Sequence, residues 1–572
     1  MNHRCQCAVL AAFFLLLFSS GAAYGQDVFA WAEKQCPDLP TGLLYAISFT
    51  NTHCHHLTDA DYHFDLNDPS AMPRTYGMMG LVKDGKGCFR ENLKTVASLS
   101  GFTEQEILED PALNVLAYAK AFEVVARQFD IVGKDVTEYV PVIQALSELP
   151  NQDQRDELPM KMMLYSVYDQ LGADLKAMFG KDYGMLSASN LTCTKETDYP
   201  LALWVPAPEC NYEERVKPVS AVVIHYTEGS YAGCISWFLN CESEVSAHYV
   251  IRSYDGQVTQ MVRECDKAWH ARTANGYTIG VEHEAYGDIV SYFTESMYGS
   301  SAALMRDICR RYEAINGHRT FYREVLDDGT ALNDGLHDLG GEGACIKIRG
   351  HQHYPDQSHT DPGPFWNWNH YYKLINEGTT VTHLGGQDVT QGDLNHLNYG
   401  DDERCIWVIH SEDKTTITLD FSSFNLEKDF DFLWIYDGED VYARQLGRWN
   451  TQSPGKVKSS SNALCVEFRS DCATTALGWR AHWSVDHDYA VLEDEAAVFV
   501  VFPNPVNELT KVSLPRPDDY EVEIFDVLGR KVLRQSLPAT GTIDLSGLEH
   551  GAYLFRLTRR TDGQTWTKRI IR

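Results

Sequence analysis

Residues 350–364 place the strongest constraint on what this chain can fold into and bind. They read Gly-His-Gln-His-Tyr-Pro-Asp-Gln-Ser-His-Thr-Asp-Pro-Gly-Pro, and the Pro and Gly residues keep such a stretch out of helices and strands. The sequence therefore predicts a loop that carries His351, His353, His359 and Asp361 close together. Neutral imidazole and carboxylate groups are good ligands for Zn²⁺. The loop predicts a metal site, provided that a further ligand comes from elsewhere in the chain.

Two apolar segments upstream carry side chains of the kind that such a site needs. Ala-Val-Val-Ile-His-Tyr-Thr predicts a buried strand with His225 near its end. Tyr-Thr-Ile-Gly-Val-Glu-His-Glu predicts a second strand that carries Glu282. A catalytic zinc site takes three protein ligands, keeps one position open and uses a nearby base. His225, His351 and Asp361 can supply the ligands. Glu282 can supply the base.

Residues 205–378 carry an ordered set of short motifs. They are a strand ending in histidine (221–225), Ala-His-Tyr-Val-Ile (247–251), Ala-Trp-His-Ala (268–271), Ile-Gly-Val-Glu (279–282), Gly-His (350–351) and Thr-Asp-Pro-Gly (360–363). This order resembles that of the zinc-dependent N-acetylmuramoyl-L-alanine amidases, a superfamily that also contains the peptidoglycan-recognition proteins. It implies an α/β domain with a central mixed sheet and a single Zn²⁺. It also implies hydrolysis of the amide between N-acetylmuramic acid and L-alanine, with peptidoglycan or muramyl peptides as substrates.

The resemblance also implies roles for individual residues. His225, His351 and Asp361 occupy the positions of the metal ligands, and the ten-residue gap from His351 to Asp361 is similar to the gap in members whose third ligand is Asp. Glu282 occupies the position of the acid/base that activates water.

Two positions depart from the family pattern. His359 stands where many members carry a Lys that stabilises the oxyanion. Histidine can donate to an oxyanion, but its charge varies near neutral pH. Ala247 stands where some members carry a catalytic Tyr, so no tyrosine role is assigned. A non-catalytic recognition or adhesion protein therefore remains the alternative, although the full ligand set favours an enzyme. The other histidines near these motifs are interpreted as ordinary surface or hydrogen-bonded residues: His283, His318, His337, His353 and His370.

The first 25 residues predict a secretory signal peptide. Arg4 precedes an apolar run from residue 8 to residue 18, and small residues lead to Gly25. No other stretch reaches the length of a transmembrane helix, so the chain is expected to be secreted or attached to the outer-membrane surface. Export makes disulfides plausible. Thirteen of the 15 Cys lie beyond this segment, and their pairing cannot be read from the sequence.

Residues 27–190 predict a helical domain, with Asp110 and Pro111 starting one helix. The segments 43–52, 76–81 and 110–114 resemble a lytic transglycosylase or goose-type lysozyme domain. Asn51 stands where that family has its catalytic Glu. An amide cannot protonate a glycosidic oxygen, so the domain is expected to be inactive. It could still bind a glycan strand, or it could be a packing domain without a ligand.

Residues 382–486 change to short alternating strands and resemble a CUB domain, a β-sandwich that binds protein or glycan. In calcium-binding members three acidic residues hold Ca²⁺, and here Glu427, Asp431 and Asp471 fall at those positions. The alternative is a set of solvated surface carboxylates. The expected first Cys is absent near Gly385, which leaves an odd set of three Cys in this domain.

Residues 498–572 again predict strands and follow an acidic linker at 486–497. Their Phe-Pro-Asn-Pro, Ile-Phe-Asp-Val-Leu-Gly-Arg and Gly-Ala-Tyr segments resemble the C-terminal sorting domain of the type IX secretion system. The resemblance implies that the secretion machinery is a partner. A small β-sandwich without an export role is the alternative.

At 572 residues the chain is too long for one hydrophobic core. The expected fold is multidomain: a helical N-terminal domain, an α/β amidase domain and two all-β sandwich domains. A Pro-rich connector spans 191–218, and a polar, Gly-rich insertion at 317–346 precedes the histidine loop. The formal net charge of −31 argues against a nucleic-acid partner.

Overall fold

The structure is a computed structural model that describes most of the chain after residue 20. The described residues are 21–63, 68, 70–187, 197–287, 289–320, 331–386, 388–411, 415–486, 500–502, 509–513, 519–525, 530–537, 541–548, 551–560 and 565–572. Residues 1–20 of the predicted signal peptide lie outside this set, as do 188–196 of the connector, 321–330 of the insertion and 487–499 of the linker. The chain divides into two compact units, Met1–Val485 and Asp486–Arg572.

The N-terminal region is helical, as predicted. Its helices are α1 (Gly21–Gln35), α2 (Leu43–Thr52), α3 (Asn92–Ser100), α4 (Glu104–Glu109), α5 (Pro111–Gln128), α6 (Val140–Leu146), α7 (Glu157–Gln170), α8 (Leu175–Phe179) and α9 (Tyr183–Leu186). Two short strands, β1 (Thr75–Tyr76) and β2 (Leu81–Val82), pair in antiparallel fashion. The Asp110 side chain accepts the backbone N–H groups of Ala112 (2.8 Å) and Leu113 (3.1 Å), which fixes the start of α5 at Pro111. Among the described residues, no helix is long and apolar enough to cross a membrane.

The next domain is built on a mixed six-stranded sheet, as the resemblance implied. Its strands are β3 (Leu203–Trp204), β5 (Ala221–Tyr226), β6 (Tyr249–Ile251), β7 (Val258–Gln260), β9 (Thr278–His283) and β10 (Ile348–Gly350), while β4 (Tyr212–Glu214) and β8 (Asp266–Ala268) form a separate antiparallel pair. The order is β10-β5-β9-β6-β7-β3. Only the β6–β7 pair of this sheet is antiparallel among the described registers.

The parallel registers bring the predicted site together. His225 on β5 is aligned with Glu282 on β9. Gly350 at the end of β10 is aligned with Ile224, so His351 follows at the same edge. Parallel strands present their carboxyl ends on one side of a sheet, where α/β proteins bind ligands. Residues more than 120 positions apart in the sequence thus become neighbours.

Three helices pack on this sheet: α10 (Tyr231–Leu239), α11 (Glu295–Arg311) and α12 (Trp368–Ile375). The spacing of Leu304, Ile308, Tyr312 and Ile315 predicts an amphipathic helix at 300–316. In the structure this helix is α11, which begins and ends five residues earlier. The Thr294 side chain caps it by accepting the Met297 N–H at 3.1 Å, and the backbone becomes extended at Tyr312. The apolar face, with Leu304 and Ile308 fully buried, was predicted correctly because periodicity locates a face rather than an end.

The N-terminal helical region packs directly against the sheet domain. The Tyr286 hydroxyl donates to the backbone oxygen of Asn51 (3.1 Å), and the Thr75 hydroxyl donates to Tyr286 (3.0 Å). Asn51 itself is 7% exposed, and its amide nitrogen donates to the Met79 carbonyl at 3.1 Å. These contacts favour the packing alternative for this region over an open glycan cleft around Asn51.

The following domain is a two-sheet β-sandwich. Its strands are β11 (Val381–Gly385), β12 (Gln391–Leu397), β13 (Arg404–His410), β14 (Thr416–Asn425), β15 (Phe432–Asp437), β16 (Arg444–Trp449), β17 (Lys456–Lys458), β18 (Ala463–Arg469) and β19 (Gly478–Asp486). The sheets have the orders β11-β13-β18-β15-β16 and β12-β19-β14-β17. Inward-facing residues such as Leu433, Ile435 and Trp479 are fully buried between them.

The sandwich is joined to the sheet domain covalently and by packing. Cys472, one of the odd set of three Cys in the sandwich, is paired with Cys345 of the predicted insertion. A second disulfide, between Cys210 and Cys241, lies within the sheet domain. Tyr372 of α12 packs into an apolar cluster of the sandwich that includes Trp434. Sequence could not show the Cys345–Cys472 bond or the Tyr372 contact, because both cross from one domain to the next.

The C-terminal unit is also all-β. Its strands are β20 (Val500–Phe502), β21 (Leu509–Ser513), β22 (Tyr520–Phe525), β23 (Lys531–Leu537), β24 (Thr542–Asp544), β25 (Ala552–Arg559) and β26 (Thr565–Ile571). They form antiparallel sheets of the orders β20-β21-β24 and β23-β22-β25-β26. Val522, Ile524 and Phe555 are fully buried in its core. The multidomain fold class predicted from the sequence is confirmed.

Candidate active site

The three predicted metal ligands converge at the carboxyl ends of β5 and β10. Nδ1 of His225 lies 2.8 Å from one carboxylate oxygen of Asp361, and Nδ1 of His351 lies 3.0 Å from the other. One donor atom of each residue lies within 4.8 Å of the other two. The three residues are 3%, 6% and 6% exposed. Two imidazoles and one carboxylate form a donor set that suits Zn²⁺, so the residues fit the metal that the sequence predicted.

The loop after β10 folds back because Gly350 has no side chain. A Cβ at this position would lie 2.4 Å from Cδ of Pro362. The Gln352 N–H then donates to the Asp361 carbonyl at 3.1 Å. This close return brings Asp361 beside His351 although ten residues separate them.

The protonation states of His225 and Asp361 are those that a metal needs. Burial, together with the neighbouring His351, lowers the pKa of His225 to about 4, so its imidazole is neutral at neutral pH. Burial alone would raise the pKa of Asp361, but His351 and His225 hold it far below its usual range. Metal ligands must be neutral imidazoles and ionised carboxylates.

His270 orients the ring of His225 from the side opposite Asp361. Its Nδ1 lies 3.0 Å from Nε2 of His225, the nitrogen that faces away from Asp361. Gly280 makes room for this ring, since a Cβ there would lie 2.6 Å from it. Partners of this kind fix the orientation of a ligand histidine. His270 belongs to the Ala-Trp-His-Ala motif, but the sequence alone assigned it no role.

Glu282 lies beside His225 on the neighbouring strand. It is 9% exposed, and its Oε2 has no hydrogen-bond partner within the described part of the chain. Burial, and then the charge of Asp361, raise the pKa of Glu282 well above its usual value. A buried carboxyl group with a raised pKa suits a residue that must accept and return a proton.

His359 lies over the cluster. Its ring stacks on His351 with the centroids 5.2 Å apart and the planes at 8°. Its Nε2 lies 3.6 Å from an oxygen of Asp68, a residue of the N-terminal region. Burial lowers the pKa of His359, so near neutral pH the ring acts as a neutral N–H donor.

The remaining histidines stay outside the ligand cluster, as interpreted. His283 lies 2.9 Å from the His225 carbonyl through Nδ1 and 2.8 Å from the Ser301 hydroxyl through Nε2. Nε2 of His353 lies 3.0 Å from the Leu332 carbonyl. His337 and His370 also have hydrogen-bond partners, and His318 is absent from the ligand group in the described residues.

A cavity of about 130 Å³ opens beside the cluster. Glu282 and His359 line it together with the three ligands. Sequence reasoning missed several other lining residues: His63, Ser70, Ala71 and Met72 from the N-terminal region, with Glu228, Trp237, Trp269 and His270 from the sheet domain. Glu228 follows His225 by three residues, which was an available signal. No local pattern marks the N-terminal residues, since their contacts span more than 150 positions.

The three acidic residues predicted in the sandwich also lie together. One carboxylate oxygen from each of Glu427, Asp431 and Asp471 lies within 4.8 Å of the others. Burial and the neighbouring charges raise the pKa of Glu427 to about 7, and burial raises that of Asp431 to about 6. The Asp471 N–H donates to Asp431 at 2.9 Å. Carboxylates held this close together repel one another when they are ionised. A hard divalent cation such as Ca²⁺ would offset that repulsion.

Comparison with known proteins gives three family matches. Residues 215–364 match a model described as N-acetylmuramoyl-L-alanine amidase, residues 389–483 match a CUB domain model, and residues 500–572 match a model of a secretion system C-terminal sorting domain.

Individual relatives match separate parts of the chain. N-acetylmuramoyl-L-alanine amidase A of Achromobacter lyticus is 39% identical over 182 residues, which cover 32% of this chain and 97% of that protein. The dorsal-ventral patterning protein tolloid of Drosophila melanogaster is 33% identical over 103 residues, or 17% of this chain and 10% of that protein. The solved structure of PlyL is 14% identical, covers 31% of this chain and 95% of its own, and has a TM-score of 0.21.

Proposed function

This chain belongs to the N-acetylmuramoyl-L-alanine amidase family, and from that premise we propose how it acts. It is a peptidoglycan amidase that hydrolyses the amide between the lactyl group of N-acetylmuramic acid and L-alanine, with a Zn²⁺ held by His225, His351 and Asp361. The observation that carries the proposal is the convergence of these donors, with Glu282 beside them, in one cavity. The substrates are peptidoglycan and muramyl peptides.

The metal contributes one part of the chemistry. A Zn²⁺ bound by three protein ligands supplies a Lewis acid that polarises a carbonyl group and activates water. His270 keeps the ring of His225 in the orientation that directs Nδ1 towards Asp361.

Glu282 and His359 carry the remaining steps. Glu282 accepts a proton from the attacking water through the unpartnered Oε2. As the C–O bond forms and the C–N bond breaks, it returns that proton to the amide nitrogen, so a carboxylic acid and a free amine are released. His359 donates an N–H to the carbonyl oxygen on which negative charge develops.

Removing the metal is expected to stop the reaction. Chelation should abolish release of stem peptide from a muramyl peptide, and added Zn²⁺ should restore it. Asp361→Asn should lower bound zinc from about one per chain to below about one tenth, because a neutral amide is a poor third ligand. Elemental analysis measures the zinc, and mass spectrometry measures the released peptide.

Asp356→Asn is the matched control, since Asp356 is an exposed residue of the same loop. It should keep both zinc and activity. Full activity of the wild-type chain after complete metal removal would contradict the zinc site.

The domains have separate proposed roles. We propose boundaries at 27–190 for the helical domain, 205–378 for the amidase domain, 382–486 for the CUB-like sandwich and 498–572 for the sorting domain. The chain is a secreted or cell-surface protein, since residues 500–572 match a sorting domain. We also propose that the signal peptide at 1–25 and then the type IX machinery export the chain. The sandwich is proposed to bind a protein or a glycan.

We further propose that Glu427, Asp431 and Asp471 hold Ca²⁺. Calcium at about 100 times its Kd should raise the free energy of unfolding of the sandwich by about 2.7 kcal/mol, measured by calorimetry. Glu427→Gln should remove this gain, while Asp429→Asn in the same loop should keep it. An unfolding temperature of the wild-type chain that is unaffected by calcium would count against the site.

A further inference from the structure

One wall of the amidase cavity comes from outside the amidase domain. Ser70, Ala71 and Met72 of the N-terminal region line it together with the metal-ligand cluster. The Trp237 indole N–H donates to the Ser70 carbonyl at 2.9 Å. The Lys86 ammonium donates to the backbone oxygens of Asp68, at 2.8 Å, and of Ala71. The wall is therefore held from both sides, by the sheet domain and by its own region.

Met72 fills the space above the loop that follows β5. It is 9% exposed, and its methyl group would lie 1.8 Å from a Cβ placed on Gly229. Only a glycine at 229 allows this approach. The contact narrows the cavity next to Glu228, the residue that immediately precedes Gly229.

Glu228 presents an unused hydrogen-bonding group to this space. Its side chain lines the cavity and is more than nine-tenths buried, with 9% exposed. Its Oε2 has no hydrogen-bond partner among the described residues. Burial raises the pKa of Glu228 to about 8, although hydrogen bonds from the Tyr226 side chain and the His63 backbone act to lower it. A buried oxygen without a partner is costly, so a ligand that supplies a donor would be favoured.

The polar groups around the cavity suit the same kind of ligand. Its described lining residues include three carboxyl groups, Glu228, Glu282 and Asp361, and neither Lys nor Arg. Carboxyl oxygens accept hydrogen bonds, so the lining offers acceptors to the N–H groups of a peptide. Hydrolysis of the scissile amide creates a new amine on the peptide fragment, which suits this environment.

We propose that Glu228 and the wall of Ser70, Ala71 and Met72 form a subsite for the stem-peptide half of the substrate. In this subsite Oε2 of Glu228 accepts the N–H of the peptide bond that follows L-alanine. The subsite rests on the proposed amidase function and extends it to the substrate's peptide side.

The wall favours the peptide over the glycan. Sugar rings pack on accessible aromatic faces, but Trp237, which is bonded to this wall, is 2% exposed and its N–H is used by Ser70. Small groups at Ala71 and Gly229, with the adaptable thioether of Met72, suit a methyl side chain beside an amide.

The test compares two synthetic muramyl peptides on the full-length, zinc-loaded chain. The second has an ester oxygen in place of the N–H that follows L-alanine. In an assay about one pH unit above the Glu228 pKa of about 8, where the carboxylate is ionised, kcat/KM of the wild-type chain should be about 10- to 100-fold lower on the ester, the range for a hydrogen bond to a charged group. Glu228→Gln should lower kcat/KM on the amide by a similar factor, mainly through KM. Because Tyr226 and His63 both donate, the Gln oxygen faces them and its NH₂ faces the substrate. The amide-to-ester ratio of this variant should fall to about one.

Two variants serve as controls. Glu242→Gln, an exposed residue after α10, should leave both the activity and the ratio unchanged. Met72→Ala opens the wall without altering Glu228, so it should raise KM for amide and ester alike and keep their ratio.

Three other results would contradict either the subsite or the amidase function. An unchanged ratio in Glu228→Gln overturns the subsite. So does a loss that appears only on a disaccharide substrate, because it would assign the space to glycan. A wild-type chain that releases no peptide with zinc present would instead overturn the amidase function. Calorimetry of the free stem peptide with the metal-free chain then still tests the subsite, since Glu228→Gln should weaken that binding about tenfold or more.

Discussion

Glu282→Gln is expected to lower kcat for amide hydrolysis by about 10²–10⁴-fold, the usual contribution of a positioned acid/base. Glutamine keeps the shape of the side chain but cannot carry a proton between water and the leaving nitrogen. The variant should fold normally and bind zinc, since Glu282 is aligned with His225 but does not belong to the ligand group. Mass spectrometry of released stem peptide gives the rate, and elemental analysis gives the zinc content.

Glu295→Gln provides the comparison. Glu295 is an exposed residue of α11 whose contact with His370 lies at the surface, so its loss should leave kcat unchanged. If Glu282→Gln retained more than about one tenth of wild-type kcat with zinc bound, another group would have to carry the proton. Loss of zinc in this variant would assign Glu282 to the metal instead.

The second large effect concerns the link between the amidase domain and the sandwich. Glu467→Gln is expected to destabilise the chain by about 3–5 kcal/mol at neutral pH, because it leaves buried charges without their partner. Glu467 is fully buried and accepts Arg404 Nε at 2.7 Å and Arg469 Nε at 2.9 Å. Arg404 also donates to the Asn376 carbonyl, which follows α12, at 2.8 Å.

The pH dependence of this effect has a definite sign. Burial alone would raise the pKa of Glu467, but Arg469 and Arg404 hold it at about 2, below the usual 4.5. A carboxyl group with a lowered folded-state pKa stabilises the fold above its unfolded pKa. That contribution is lost as the pH falls from about 4.5 through about 2. The stability difference between the wild type and Glu467→Gln should therefore shrink over this window in denaturant titrations.

Asp420→Asn is the control within the same sandwich. Asp420 pairs with Lys456 at 3.4 Å on the surface, where an ion pair contributes about 0–1 kcal/mol. Equal losses in both variants would contradict the role of the buried network. A loss in Glu467→Gln that persisted unchanged at pH 2 would contradict the charge-based explanation.

The local parts of this protein could be read from its sequence. Alternation and apolar runs predicted β5 and β9, because a buried strand must present apolar residues on both faces. Asp110 and Pro111 predicted the start of α5, because capping depends on residues within one turn. The Pro- and Gly-rich loop after β10 predicted that His351 and Asp361 would be close, since only ten residues separate them.

What only the tertiary structure decided lies in contacts between distant segments. Local patterns specify backbone conformation and which face is buried, but not which of many compatible faces meet. The pairing of Cys345 with Cys472, the burial of Asn51 beneath Tyr286, and the wall that Met72 adds to the amidase cavity all depend on packing between domains. Sequence thus determined the chemical groups of the site. The fold decided which of them share a cavity, because close packing, rather than any local preference, brings the domains into contact.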